Sequence, residues 1–135
     1  MADKVKSNPG SIGFVEYQYA VKGSVAQALV QNAAGRFIKA STESVEAACK
    51  ATEAPRWNNF SASLADAPGA DSFPITSFTW IYLRSQSSDS ARTAALVDLL
   101  NWIYSDGQQY AVQEGYAELP APLLAAVRKK VNDLR

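Results

Sequence analysis

Histidine is absent from this 135-residue chain, and cysteine occurs once, as Cys49. A His-containing triad, a Cys-His dyad, a multi-cysteine zinc site and an internal disulfide are therefore excluded by inventory. With no bridge possible, cysteine usage says nothing about compartment. An excess of one charge is missing too: 13 Lys and Arg balance 13 Asp and Glu. No overall field draws the chain to nucleic acid or to an anionic membrane. The densest basic group, Arg128, Lys129 and Lys130, reads as the answer to a helix dipole. No apolar run approaches the ~20 residues of a membrane helix. Met1-Ala2-Asp3-Lys4 is polar, with no apolar run behind it to act as a signal peptide.

What is present is globular in kind. Hydrophobic residues make up 47% and charged residues 19%, with three Trp, six Tyr and five Phe. A chain of this length buries roughly two thirds of its unfolded surface around one core. A single domain is the expectation, with no cofactor and no metal.

Asn8-Pro9-Gly10-Ser11 is a turn, and the apolar run behind it predicts a strand over 11–16. Tyr17 to Val21 can close a helical turn before Gly23. Residues 26–31 and 36–39 flank the turn Asn32-Ala33-Ala34-Gly35, which predicts a hairpin. Ser41 to Ser44 offers hydroxyls for an N-cap, and Val45, Ala48 and Cys49 recur at helical spacing, so a helix is expected over 42–52, ended by Pro55. Pro55 to Pro74 is a long connection anchored by Trp57 and Phe60.

Residues 75–83 are dense in β-branched and aromatic side chains and predict a strand through the centre of a sheet. Ser88 or Asp89 can cap the next helix, whose apolar arc is wide enough to be packed on several sides until Gly107. A short helix from Gln108 to Glu114 follows. Pro120 then opens a last helix with Leu123, Leu124, Val127, Val131 and Leu134 on one face. The fold class is α/β, a mixed sheet flanked by helices, with three helices at the carboxy end.

Four stretches carry a resemblance. They are Asn8-Pro9-Gly10-Ser11-Ile12-Gly13-Phe14-Val15-Glu16-Tyr17-Gln18-Tyr19-Ala20, the run Ala67 to Thr76, Leu99 to Gly107, and Gly115-Tyr116-Ala117-Glu118-Leu119-Pro120. In this order they resemble segments of the substrate-binding component of phosphate ABC transporters, with Phe73 standing where Trp is usual. The resemblance implies the carboxy-terminal part of a two-lobed periplasmic-binding-protein-like fold, non-enzymatic, that closes on phosphate or a similar oxyanion. It implies that 1–72 is a second-lobe-like segment and that 73–135 returns to the first lobe, with the chain crossing near 71–76. It also implies a periplasmic location, whereas the sequence as written, without a signal peptide, leaves the cytoplasm open.

The turns in which that family keeps its anion ligands have no counterpart here: there is no Ser-Gly-Thr turn preceded by Arg, no Gly-Ser-Ser-Gly-Gly and no Gly-Ala-Thr-Phe. No ligand residue is carried over from the family. On their own chemistry, Ser11 in the Gly10-Ser11-Ile12-Gly13 turn, the hydroxyls of Thr76 and Ser77, and the guanidinium groups of Arg56 and Arg84 are the candidates for an oxyanion. Each also has a plain structural reading as a turn, sheet-edge or surface residue. Gly10, Gly13, Pro74 and Trp102 read as architectural, Trp102 as core filling. Cys49, among Ala47, Ala48 and Ala51, reads as small core filling rather than a nucleophile. A chain of this kind without the rest of its family's fold would expose apolar surface, for which a homo-oligomer or a partner chain covering the missing segments is the remedy.

Overall fold

The computed structural model describes residues 1–52, 60, 62–84 and 87–134. The described elements are six helices and one two-stranded sheet. In order they are α1 (Ala2–Ser7), α2 (Tyr17–Lys22), β1 (Val30–Gln31), β2 (Phe37–Ile38), α3 (Thr42–Ala51), α4 (Ser90–Ile103), α5 (Gly107–Gln113) and α6 (Ala121–Asn132).

The helices form where local chemistry asks for them. Ser41 Oγ accepts from Ser44 N at 3.2 Å, while Ser44 Oγ accepts from Ser41 N at 3.0 Å, a reciprocal box that satisfies two of the donors orphaned at the start of α3. Asp89 Oδ1 caps α4 more simply, by accepting from Arg92 N at 2.9 Å. Pro120 occupies the N-cap of α6, one residue outside the helix it was expected to open from within. The amino-terminal helix α1 was not anticipated; its start was read only as polar.

The hairpin forms as expected but is short. Val30 pairs with Ile38 and Gln31 with Phe37, antiparallel, across the turn at Asn32–Gly35. Gly35, at φ 75°, takes the left-handed conformation that closes it.

The core is built by helices. Val97 and Leu100 of α4 meet Val131 of α6, with Leu96, Ile103, Tyr104 and Leu134 around them. Val127 belongs both to this cluster and to a second one in which Ala62 and Leu123 pack with Phe60, Phe78 and Leu119. One α6 side chain therefore joins the two halves of the packing.

Four expectations fail. Residues 11–16 form no strand, with Ile12 92% and Phe14 86% exposed. The segment 75–83 likewise lies outside any sheet, with Tyr82 91% exposed. Both have strand sequence, but a strand exists only when a neighbour completes its ladder, and among the described residues none does. Helix α4 is packed on one side rather than several: only Val97 and Leu100 are buried, while Leu99 and Trp102 are exposed. Trp102 does not fill the core; it stacks on Tyr110 of α5 with ring centroids 5.9 Å apart. The expected helix stop at Pro55 and the anchor Trp57 lie outside the described residues.

The accessible surface is 9406 Å² for a chain of 14.6 kDa. A compact monomer of that mass exposes roughly 6,900 Å², so the chain carries an excess of about 2,500 Å².

Candidate functional site

A polar constellation joins the hairpin turn to residues 66–74. Asn32, buried at the base of the hairpin turn, turns its carboxamide both ways. Its Oδ1 accepts from Ala34 N at 3.1 Å and Arg36 N at 3.0 Å, which shapes the turn. Its Nδ2 donates, shared, to the carbonyl oxygens of Gly69, Ala70 and Ser72 at 3.2, 2.9 and 3.1 Å. Beside it the Arg36 guanidinium meets the Asp71 carboxylate at 2.8 Å, exposed and screened. Phe73 N donates to Ser44 O at 3.1 Å and Asp66 N to Pro74 O at 2.9 Å, so the turn over 66–74 is tied to the hairpin, to α3 and to itself. A Cβ added to Gly69 would collide with Ser72 Oγ and with Ala51 Cβ. Sequence reading missed Asn32 as a clamp; its only local signal was an Asn at the start of a tight turn.

The five oxyanion candidates are scattered by comparison. Ser11 Oγ donates to Asn8 O at 2.7 Å and Val5 O at 3.2 Å, which closes the turn behind α1. Thr76 is buried and its Oγ1 donates to Phe73 O at 2.8 Å. Ser77 is exposed and donates to Phe78 O at 3.1 Å. Arg84 is exposed at the far end of the same segment, and Arg56 lies outside the described residues. Thr76 and Ser77 line a cleft of about 340 Å³ with Ser63, Phe78 and Trp80, to which neither Ser11 nor Arg84 contributes.

The larger concavity is apolar. A groove of about 510 Å³ runs between residues 78–83 and α6, walled by Phe78, Trp80, Tyr82, Leu123, Val127 and Val131, with Lys130 the one charged residue among the described residues that line it. Burial pushes the Tyr104 phenol, also in its wall, above the usual tyrosine range. A surface of this kind accepts apolar groups rather than an anion.

Titration adds no nucleophile. Burial, followed by the nearby Glu46 carboxylate, pushes the Cys49 thiol up to about 11 against a small opposing pull from Lys50, so it stays protonated at neutral pH. The Ser41 hydroxyl, first among the causes, holds the Glu43 carboxyl below its ordinary value. Hydrogen bonding to Glu114 raises Lys22. Among the described residues no group of three or more His, Cys, Asp or Glu is placed to hold a metal ion, and no helix is long and apolar enough to cross a membrane.

No protein-family model matches the chain. Individual proteins do. The phosphate-binding protein PstS of Xylella fastidiosa (strain 9a5c) is 32% identical over 127 residues, which cover 94% of this chain and 35% of that protein. PstS of Haemophilus influenzae is 30% identical over 130 residues, 96% of this chain and 39% of its own length. PstS of the archaeon Methanocaldococcus jannaschii is 28% identical over 142 aligned positions, 97% of this chain and 36% of its own length. The chain spans a little over a third of the length of these curated relatives, and the matched stretch takes in nearly all of this chain. It is a homologue of the phosphate-binding protein PstS, corresponding to about a third of that protein.

Proposed function

We propose that this chain is a phosphate-binding-protein-like scaffold, a non-enzymatic part of phosphate or related oxyanion capture for ABC transport, whose anion donors lie in sequence it does not contain. The observation that carries this reading is similarity to PstS along nearly the whole chain. The chain's own polar residues support the division of labour. Thr76 and Ser11 spend their hydroxyl protons on backbone carbonyls, and Asn32 spends its amide on a turn, whereas tight capture of a desolvated oxyanion needs several convergent, uncommitted donors. On this reading 1–72 belongs to one lobe, 73–135 returns to the other, and the clamped turn lies at the crossing. Among the described candidates, any contact with an anion falls to Ser77 and Thr76, which share a cleft. The place of action is the periplasm.

Isothermal titration tests this. The chain alone should give no heat with phosphate or arsenate at millimolar concentration, and uptake should appear when the remaining two thirds of a PstS protein is supplied. A tight phosphate site held by a single copy of the chain would overturn it.

A second reading, a self-associating module without ligand binding, is favoured by one observation, the exposure of large apolar side chains such as Ile12, Phe14, Ile75 and Tyr82. Light scattering decides it: a particle that stays monomeric at every concentration and binds no apolar dye rules that reading out.

A further inference from the structure

We infer that Lys22 and Glu114 form an electrostatic latch that holds α2 against the link between α5 and α6, so that breaking one ion pair frees α2 from the carboxy-terminal helices. On the scaffold reading, α2 belongs to one lobe and the link to the other, and the latch then biases lobe closure; that last step rests on the scaffold reading, the latch itself does not.

Lys22 Nζ lies 2.7 Å from Glu114 Oε2, across 92 residues of chain. Gln18, one turn earlier on α2, donates to the Tyr116 phenol oxygen at a long 3.5 Å. Between Glu114 and Tyr116, Gly115 comes directly onto the helix: a Cβ there would lie 3.3 Å from Gln18 Cβ and 3.6 Å from Tyr17 Cδ1. At φ 85° Gly115 takes the left-handed conformation that ends α5, its N–H donating to Val112 O and that of Tyr116 to Ala111 O. The turn that stops α5 therefore also presents Glu114 and Tyr116 to α2.

Glu114 is poorly placed for its own helix. It caps the carboxy end of α5, where unpaired carbonyls disfavour a carboxylate and favour a cation. Lys22, in the last turn of α2, answers that carboxylate as well as the dipole of α2. Little else holds α2 in place: none of its six residues is buried, so apolar burial contributes little to its docking. Both partners of the ion pair are 61% exposed, and a pair of that kind shifts an equilibrium by only about two- to fivefold. Such a factor is small against a packed core and decisive for a helix that lacks one. Because salt screens exposed charges, the same latch opens with ionic strength.

Hydrogen exchange by mass spectrometry on the full chain tests this. Lys22→Glu and Glu114→Lys should each speed exchange of the α2 amides about two- to fivefold. The double swap should restore most of the protection, and about 1 M salt should bring the wild type to the level of the single variants. Glu114→Lys separates the latch from a local effect, since a cation at the carboxy end of α5 suits that helix: a merely local role slows exchange in α5 and leaves α2 unchanged. Unchanged α2 exchange in both single variants overturns the inference, as does a double swap no better protected than they are. The link to closure is read on a chimera in which this chain replaces the matched 127 residues of the Xylella fastidiosa PstS protein. Each single variant should change its phosphate affinity by a similar factor, and the double swap should reverse the change. Faster α2 exchange with unchanged affinity upholds the latch and overturns its bearing on closure; a chimera that takes up no phosphate sinks the scaffold reading, while exchange still decides the latch.

Discussion

The carboxamide nitrogen of Asn32 donates to the carbonyl oxygen of Ser72 at 3.1 Å across forty residues of chain. The same group also holds the carbonyls of Gly69 and Ala70 and, through its oxygen, two amides of its own turn. One buried side chain thus joins the chain's only described sheet to the turn that leads into residues 75–83. It should dominate local stability.

Asn32→Ala leaves three carbonyls and two amides without this partner, and the loss should be about 3 kcal/mol. Asn32→Asp keeps the shape but turns a donor into a carboxylate oxygen facing carbonyl oxygens, so it should be at least as damaging. Urea denaturation of both variants checks the order; an aspartate milder than the alanine would show that the donated bonds matter little.

Gly69→Ala should destabilise by about 2 kcal/mol, because the new methyl meets Ser72 Oγ and Ala51 Cβ. Ser72 is wholly buried and, among the described residues, its Oγ has no hydrogen-bond partner. Ser72→Ala should therefore be neutral or slightly stabilising, and it should recover part of the Gly69→Ala loss. A double-mutant cycle measures the coupling, and strict additivity would mean that the collision is relieved elsewhere.

Ser41→Ala removes the N-cap of α3 and should cost about 1 kcal/mol. The same hydroxyl is the leading cause of the lowered Glu43 pKa, so the variant should also move Glu43 back toward its ordinary value. A depressed carboxyl contributes stability above its unfolded pKa and loses it as pH falls through the folded one, so the difference between wild type and variant should shrink on acidification. Carboxyl NMR titration follows the shift; an unmoved Glu43 would remove Ser41 as its cause.

Cys49 should resist alkylation at pH 8 in the folded chain and react at once in urea, since its thiol titrates near 11 when buried. The sign is that of a raised pKa: its contribution to stability is complete below the unfolded value near 9.0 and declines as pH rises toward about 11. Rapid modification under native conditions would place Cys49 in a more open setting than its 3% exposure indicates.

Local chemistry made much of the fold legible. Ser41 with Ser44 and Asp89 with Arg92 mark the starts of α3 and α4 by bonds within three residues, and the Gly35 turn marks the hairpin. The family was legible as well, because its motifs are written in contiguous residues. The candidate site was less so: Ser11, Thr76 and Ser77 have the right chemistry for an anion, and their nearest acceptors are backbone carbonyls within six residues.

By itself, then, the order of residues determined the helices after α1, the hairpin and the kinship with PstS, since caps, periodicity and motifs act over a few positions. Only the tertiary structure decided three things: that Asn32 clamps a turn forty residues away, that Trp102 lies outside the core, and that the two most strand-like runs find no strand partner among the described residues. Each depends on a partner distant in sequence. Propensity makes a segment ready to pair, but a ladder forms only where another backbone is within reach.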